Sequence, residues 1–267
     1  METIAEALRP LTDRPESAAV LCDIDGTLAP IVERAEEAVV PEATSRLLGR
    51  IARRYRCVAC ISGRGAAEAR RIVGVGGIAY AGSHGAELLL PGQVQAELNP
   101  AFTTWTGRVH EFVFSRETPE LRMLRIRIED KGPIVAYHWR GARDQETART
   151  LLEGIAAEAE SAGLLVHWGR KVLEIRPPVH VDKGRAVREL VRRFPVRAAV
   201  FGGDDATDLD VYDVLERMVD KGTLDAAVCV GVRSDEGPAA IVERADLVVE
   251  GTPGFVQVLE LLADAPS

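Results

Sequence analysis

Six short, nearly unbroken apolar runs constrain this chain most: Ala18–Cys22, Val58–Ile61, Ile78–Ala81, Ala198–Phe201, Ala226–Val230 and Leu247–Val249. Strands that are apolar on both faces must be covered on both sides, as in a parallel sheet flanked by helices. The runs lie toward the two ends of the chain, and helical patterns fill most of the gaps between them. They predict an α/β fold with a central parallel sheet built from βα units. Two helix starts are legible as well. Asp182 can cap the stretch from Gly184 to Phe194, and Thr252 followed by Pro253 reads as a cap with a first-turn proline.

The middle of the chain has a different period. From Leu124 to Lys131 apolar and charged residues alternate, the mark of a half-covered strand. A second strand, Ile134 to Arg140, follows across the turn-forming Lys131-Gly132-Pro133, so the two predict an antiparallel hairpin. A helix from Asp144 to Ala162 and two more strands, Leu164–His167 and Lys171–Arg176, complete an αββαββ insertion with one polar face and one face on helices. Asn99-Pro100 and Pro177-Pro178 mark its ends, because proline continues neither helix nor sheet. The expected division is a core of residues 1–100 and 177–267 with an inserted cap of residues 101–176.

Charge and cysteine usage narrow the function. With 41 acidic against 33 basic side chains the formal charge is −8, which opposes nucleic acid and anionic membranes and favours a small-molecule substrate. No apolar run approaches the ~20 residues of a membrane span, and Met1 to Glu16 lack the basic-then-apolar order of a signal peptide. A cytoplasmic protein is expected. Cys22, Cys57, Cys60 and Cys229 all sit in apolar, strand-like stretches and read as buried small hydrophobes. Cys57 and Cys60 form a C-x-x-C without a second ligand pair and without the helix start that a redox pair uses, which argues against zinc and against redox chemistry.

The chemistry gathers at the ends of the apolar runs. Asp23-Ile24-Asp25-Gly26-Thr27 follows the first run, where ligands bind in parallel α/β sheets. Two carboxylates one residue apart repel unless a cation or a shared proton relieves them, so this is a metal site or an acid–base pair. Gly203-Asp204-Asp205-Ala206-Thr207-Asp208 follows another run and opens another helix, at the same sheet edge. Together the clusters suit Mg²⁺, a small hard cation that prefers oxygen ligands and shares its sphere with phosphate. Ser62, ahead of Gly63-Arg64, offers a hydroxyl and backbone N–H groups to phosphate oxygens, and Lys183 offers a positive charge.

An Asp-x-Asp-Gly-Thr, a strand ending in Ser, a helix-opening Lys and a Gly-Asp-Asp-x-x-Asp occur in that order in this chain, which therefore resembles the haloacid-dehalogenase (HAD) phosphohydrolases. Five further stretches are similar to trehalose-6-phosphate phosphatases: Ile61 to Arg64, Tyr80 to Glu87, Glu129 to Gly132, His138 to Arg140, and Gly169 to Pro177. The resemblance implies a Rossmann-like core with a C2-type cap and Mg²⁺-dependent hydrolysis of trehalose 6-phosphate. In that reading Asp23 is the nucleophile and Asp25 the general acid and then base. Asp23, the Asp25 backbone carbonyl and Asp204 hold Mg²⁺. Asp205 and Asp208 act from behind the metal ligands, and Thr27 positions Asp25. Ser62, Gly63 and Lys183 take the phosphoryl group.

The same resemblance assigns Arg64, Glu87, Glu129, Lys131, Arg170 and Glu174 to the sugar. Arg127, Glu129 and Lys131 share one strand face opposite Leu124, Ile126 and Ile128, so the alternation by itself predicts a polar surface turned toward the cleft. Trp139, His84 and His138 are read either as substrate contacts or as packing and support. The sequence departs from the family at Arg170, commonly Lys, and at Leu209, often acidic. A monomer is expected, with any trehalose-phosphate synthase on a separate chain. Two rival readings remain, a phosphatase for another sugar phosphate such as a glycosylglycerate phosphate, and a non-catalytic regulatory module. Arg125, Arg127, Arg140 and Arg170 keep the first open, though the paired Glu129 and Glu174 argue for neutral sugar hydroxyls, and retention of Asp23, Asp25, Lys183 and Asp204 opposes the second.

Overall fold

In the computed structural model, residues 3–32, 37–169, 171–179, 182–234 and 237–265 are described. Along the chain the strands are β1 (Ala18–Cys22), β2 (Cys57–Ile61), β3 (Ala79–Gly82), β4 (Glu87–Leu89), β5 (Glu97–Leu98), β6 (Arg127–Asp130), β7 (Val135–His138), β8 (Leu165–Gly169), β9 (Val172–Arg176), β10 (Ala198–Gly203), β11 (Ala226–Arg233) and β12 (Leu247–Glu250). Two compact units result, Met1–Glu97 with Val181–Ser267, and Leu98–His180.

The first unit is an α/β fold around a mixed sheet of order β12-β11-β10-β1-β2-β3-β4-β5. All five residues of β1 are buried, as its unbroken apolar run requires. Val20, Cys22, Val58, Cys60 and Val200 line one face with the helices Glu42–Ile51 and Gly251–Asp264, whereas Ala19, Leu21, Cys57, Ala59 and Phe201 line the other with Lys183–Arg193 and Leu209–Asp220. Cys57 and Cys60 thus point to opposite faces of β2 and cannot form a C-x-x-C pair. All four cysteines are buried and free.

The sheet is not wholly parallel. β4 returns antiparallel to β3 after a turn in which Ser83, His84 and Gly85 have φ of 50°, 56° and 96°. A three-residue and a two-residue strand carry too little pattern to be seen in sequence. The helix Gly251–Asp264 also starts before Thr252, so that residue caps nothing.

The second unit has a four-stranded antiparallel sheet of order β6-β7-β9-β8. Val135, Tyr137, Leu173 and Ile175 face the helices Pro100–Phe114 and Gln145–Ser161 and form its core with Val109, Val113, Leu152 and Ala159. Asp144 caps the second helix by accepting the Thr147 N–H at 3.0 Å. The alternation from Leu124 to Ile126 is not strand. Thr118 precedes a short helix opened by Pro119, Leu124 closes it, and Arg125 turns the chain at φ 58° before β6 begins at Arg127. Trp139 belongs to the core, with the Lys171 ammonium 4.5 Å from its ring centre. Among the described residues, no helix is long and apolar enough to cross a membrane.

Candidate active site

Strand register assembles the site within the first unit. Cys22 at the end of β1 pairs with Gly202 of β10 and with Cys60 of β2. The residues that follow these strands, Asp23, Asp204 and Ser62, therefore emerge together at the carboxyl edge of the sheet. The Asp23 N–H extends the ladder by donating to the Gly202 carbonyl at 2.9 Å. Lys183 arrives from the helix Lys183–Arg193, whose apolar Ala186, Val187 and Leu190 pack on the sheet and whose N-cap is Asp182.

Lys183 is 2% exposed, and its ammonium is the hub. It lies 2.8 Å from Asp208 Oδ1, 3.1 Å from Asp23 Oδ1 and 3.8 Å from Asp205 Oδ1. Burial alone would favour loss of its proton, but Asp23, Asp208 and Asp205 more than offset that and hold it firmly charged. The carboxylates respond in opposite directions. Burial, helped by the charge of Asp208, raises Asp23 well above the ordinary range against the pull of Lys183. Asp204 is raised to about 7, first by burial and then by Asp208. For Asp205 the upward push of burial is outweighed by Lys183 and by bonds from Thr207 and Asp208, so it falls below the usual value.

Asp208 and Asp205 are structural partners of this cluster. Asp208 Oδ2 accepts the N–H groups of Asp204 (2.9 Å) and Asp205 (3.0 Å), while Oδ1 accepts from Lys183. Asp205 caps the following turn by accepting the N–H of Thr207 at 2.8 Å. Thr27, expected to position Asp25, instead donates its hydroxyl to Asp204 Oδ1 at 3.1 Å. Gly26 explains how they meet. At φ +85°, a Cβ there would lie 2.0 Å from Asp204 Oδ2, so only glycine lets the first motif and the acidic cluster touch.

The residues present fit a divalent cation. Carboxylate oxygens of Asp23, Asp204 and Asp208 lie within 4.8 Å of one another, all buried, with the Lys183 ammonium against Asp23 and Asp208. With both oxygens of Asp208 already accepting, Asp23 and Asp204 are the carboxylates that present oxygen to an ion.

On the other side of Asp23, Ser62 is 1% exposed, and its Oγ accepts the Arg64 N–H at 3.2 Å, which leaves the hydroxyl proton to donate. Gly63 is needed because the His84 imidazole lies over it, 2.8 Å from where a Cβ would stand. Two residues expected on the sugar are instead committed here. The Arg64 guanidinium grips Asp25 through Nε–Oδ2 at 2.7 Å and Nη2–Oδ1 at 2.8 Å, and Glu68 takes Nη1 at 2.8 Å. Glu87 accepts from the Ala66 N–H at 2.9 Å and the Ser83 hydroxyl at 3.0 Å, so it braces the turn.

The remaining expected sugar ligands belong to the second unit. Glu129 of β6 and Glu174 of β9 stand in register on either side of Ala136 of β7, on the polar face of that sheet. Lys131 Nζ is 3.2 Å from Glu174 Oε1, Arg176 Nε is 3.0 Å from Glu174 Oε2, and His138 Nε2 approaches Glu129 Oε2 at 2.5 Å. Arg170 lies outside the described residues. Sequence reasoning assigned no role to Arg176, although its two-residue spacing from Glu174 in a strand places both on one face.

Comparison with known proteins adds the family. The family described as trehalose-phosphatase matches residues 21–240. This chain belongs to the trehalose-phosphatase family. A trehalose-phosphate phosphatase of Mycobacterium marinum is 33% identical to it over 235 residues, covering 80% of this chain and 57% of that protein. An uncharacterized glycosyl hydrolase of Mycobacterium tuberculosis is 34% identical over 223 residues, covering 80% of this chain but 16% of that protein. The chain thus spans little more than half the length of the first of these curated relatives and far less of the second. The structure of a trehalose-6-phosphate phosphatase from Aspergillus fumigatus shares the fold, with a TM-score of 0.65 at 24% identity over 99% of this chain and 98% of that one.

Proposed function

We propose that this chain hydrolyses trehalose 6-phosphate to trehalose and phosphate through a phosphorylated Asp23, with Mg²⁺ as cofactor. The observation that carries the reading is the placement of Asp23, buried at the sheet edge between Lys183 and Asp204, with Ser62 beside it on the next strand.

Mg²⁺ would be held by Asp23, Asp204 and the Asp25 backbone carbonyl, and it supplies positive charge that offsets repulsion between the nucleophile and an anionic phosphoryl group. Lys183 adds a fixed positive charge beside Asp23, and the Ser62 hydroxyl donates to a phosphoryl oxygen. A carboxylate oxygen of Asp23 then bonds to phosphorus as the bond to the sugar oxygen breaks, and Asp25 gives that oxygen its proton. In the second half Asp25 takes a proton from water, the hydroxide bonds to phosphorus, and Asp23 leaves as a carboxylate. Asp205 and Asp208 hold Lys183 and the backbone of the acidic cluster in place, and Thr27 orients Asp204.

Glu129, Lys131 and Glu174 are the sugar-recognising residues in this reading, with Arg170 as the fourth. Two carboxylates flanking Ala136 across two strand spacings, ~10 Å apart, suit the hydroxyls of a neutral sugar. Arg176 and Lys131 pair with Glu174 and Arg127 with Glu129, so these cations are already committed to carboxylates, which disfavours an anionic glyceryl substrate. Arg64 and Glu87 act within the core instead of on the sugar. Four buried free thiols suit a reducing cytoplasm.

The test is phosphate release from a panel of sugar phosphates, with and without Mg²⁺, for the native protein and Asp23→Asn. Trehalose 6-phosphate should be turned over best, only with Mg²⁺, and not by the variant. Equal turnover of unrelated sugar phosphates would overturn the substrate, and activity persisting in Asp23→Asn would overturn the covalent route, because an amide cannot form the acyl phosphate.

A further inference from the structure

In the proposed reaction Asp25 has a task that demands orientation. Its side chain is 37% exposed and sits in a tight loop two residues from the nucleophile. A carboxyl group that must serve the leaving oxygen and then water needs both its rotamer and its plane fixed, since a 1 Å misplacement costs on the order of 10²-fold in rate.

Resting on the reading above, we infer that Arg64 is the positioning residue of the acid–base Asp25, and that the turn from Ser83 to Glu87 exists to brace it. The guanidinium binds both oxygens of Asp25, at 2.7 and 2.8 Å, a fork that sets the plane of the carboxylate as a point charge cannot. Its third nitrogen is held by Glu68 at 2.8 Å, so the fork cannot swing away, and the side chain is only 12% exposed.

The backbone beneath Arg64 is fastened as firmly. Its N–H donates to Ser62 Oγ, and its carbonyl accepts the Ser83 N–H at 2.7 Å. The His84 N–H donates to the Ser62 carbonyl at 3.0 Å, and Glu87 ties the Ser83 hydroxyl to the Ala66 N–H. Ser83 and His84 adopt left-handed backbone for this, at φ 50° and 56°. Each such residue costs about 1 to 2 kcal/mol, and the backbone N–H groups of both, with Glu87, bond the segment carrying Ser62, Arg64 and Ala66. The strain is therefore located where it orients two groups at once, the phosphate-binding serine and the arginine behind the acid–base.

Arg64→Lys and Arg64→Gln, with p-nitrophenyl phosphate and trehalose 6-phosphate as substrates and Mg²⁺ present, test this by rapid quench and steady-state kinetics. A nitrophenolate leaves without a proton, so transfer to Asp23 does not need Asp25, whereas water attack still does. The expected result is a first turnover of nitrophenyl phosphate within threefold of native, followed by a steady state slowed about 10- to 100-fold. On trehalose 6-phosphate, kcat should fall at least as far with KM within threefold.

A tenfold rise in KM with unchanged kcat would overturn the inference, since Arg64 would then be a substrate ligand. Equal losses in the first turnover and the steady state would also overturn it, as general damage. If the native protein ignores trehalose 6-phosphate but hydrolyses the aryl ester, the substrate reading fails, and the two aryl-ester rates still decide the role of Arg64.

Discussion

Replacing Lys183 by methionine keeps most of the volume and removes the buried ammonium that pairs with Asp23, Asp205 and Asp208. At an effective dielectric of about 20, each contact near 3 Å is worth roughly 5 kcal/mol of attraction, much of it cancelled by the several kcal/mol needed to desolvate each ion. The two close contacts are those to Asp208 at 2.8 Å and Asp23 at 3.1 Å, with the lysine 2% exposed. Breaking a buried pair of this kind typically destabilises by about 3–5 kcal/mol, because the remaining charges stay buried and uncompensated. At ~2–4 °C per kcal/mol for a chain near this size, the thermal midpoint should fall by about 10 °C. The assay is thermal unfolding near neutral pH in chelator, repeated with millimolar Mg²⁺. The cation should restore part of the loss, since it can offset the same carboxylates, while catalysis stays absent. A variant that melts within ~2 °C of native in chelator would refute the reasoning, because the carboxylates would then need no lysine to neutralise them.

Thr27→Val keeps the packing of a fully buried side chain and deletes its bond to Asp204, so activation by Mg²⁺ should need about 10- to 100-fold more metal, read from rate against Mg²⁺ concentration. Gly26→Ala meets both a left-handed backbone and the Asp204 carboxylate, and should reduce Mg²⁺-dependent turnover at least tenfold, as an order of magnitude; native-like turnover would show that the loop can shift. For Glu174, burial pushes its carboxyl upward, but Arg176 and Lys131 outweigh this and hold it below the ordinary value. A lowered folded-state pKa means that stability is present above the unfolded value of ~4.3 and lost as pH falls through the folded one. The midpoint difference between native and Glu174→Gln should therefore be largest near neutral pH and close in acid.

Much of this architecture is written in local pattern. The runs that became β1, β2, β10 and β11 are apolar on both faces, and each functional cluster begins where a run stops, so Asp23, Ser62 and Asp204 could be placed at one edge before any coordinates. Other features depend on what lies nearby in space. By sequence Thr27 belongs with Asp25, its near neighbour, yet it binds Asp204, which is 177 residues away. Arg64 and Glu87 carry the same side chains as sugar ligands would, and only the structure distinguishes a guanidinium committed to Asp25 from one open to substrate. The alternation that begins at Leu124 shows the opposite failure. A period of two over three residues also fits the end of a helix, and Pro119 with the turn at Arg125 decides for the helix.

The charge balance of the site links its stability to its chemistry. Among the described residues, Asp23, Asp25, Asp204, Asp205 and Asp208 outnumber Lys183 and Arg64, the cations they surround, and Glu68 draws on Arg64 as well. Burial first, and the charge of Asp208 after it, drives Asp23 upward and Asp204 to about 7, so protons relieve part of that surplus. A proton on Asp23 blocks its attack on phosphorus. An arriving phosphate dianion would deepen the same imbalance and hold that proton more tightly. Positive charge between Asp23 and Asp204 reverses both effects, because it favours the ionised nucleophile and lessens the repulsion that a phosphate meets. In the proposed mechanism the crowding of carboxylates around Asp23 is thus what would make nucleophile activation depend on Mg²⁺.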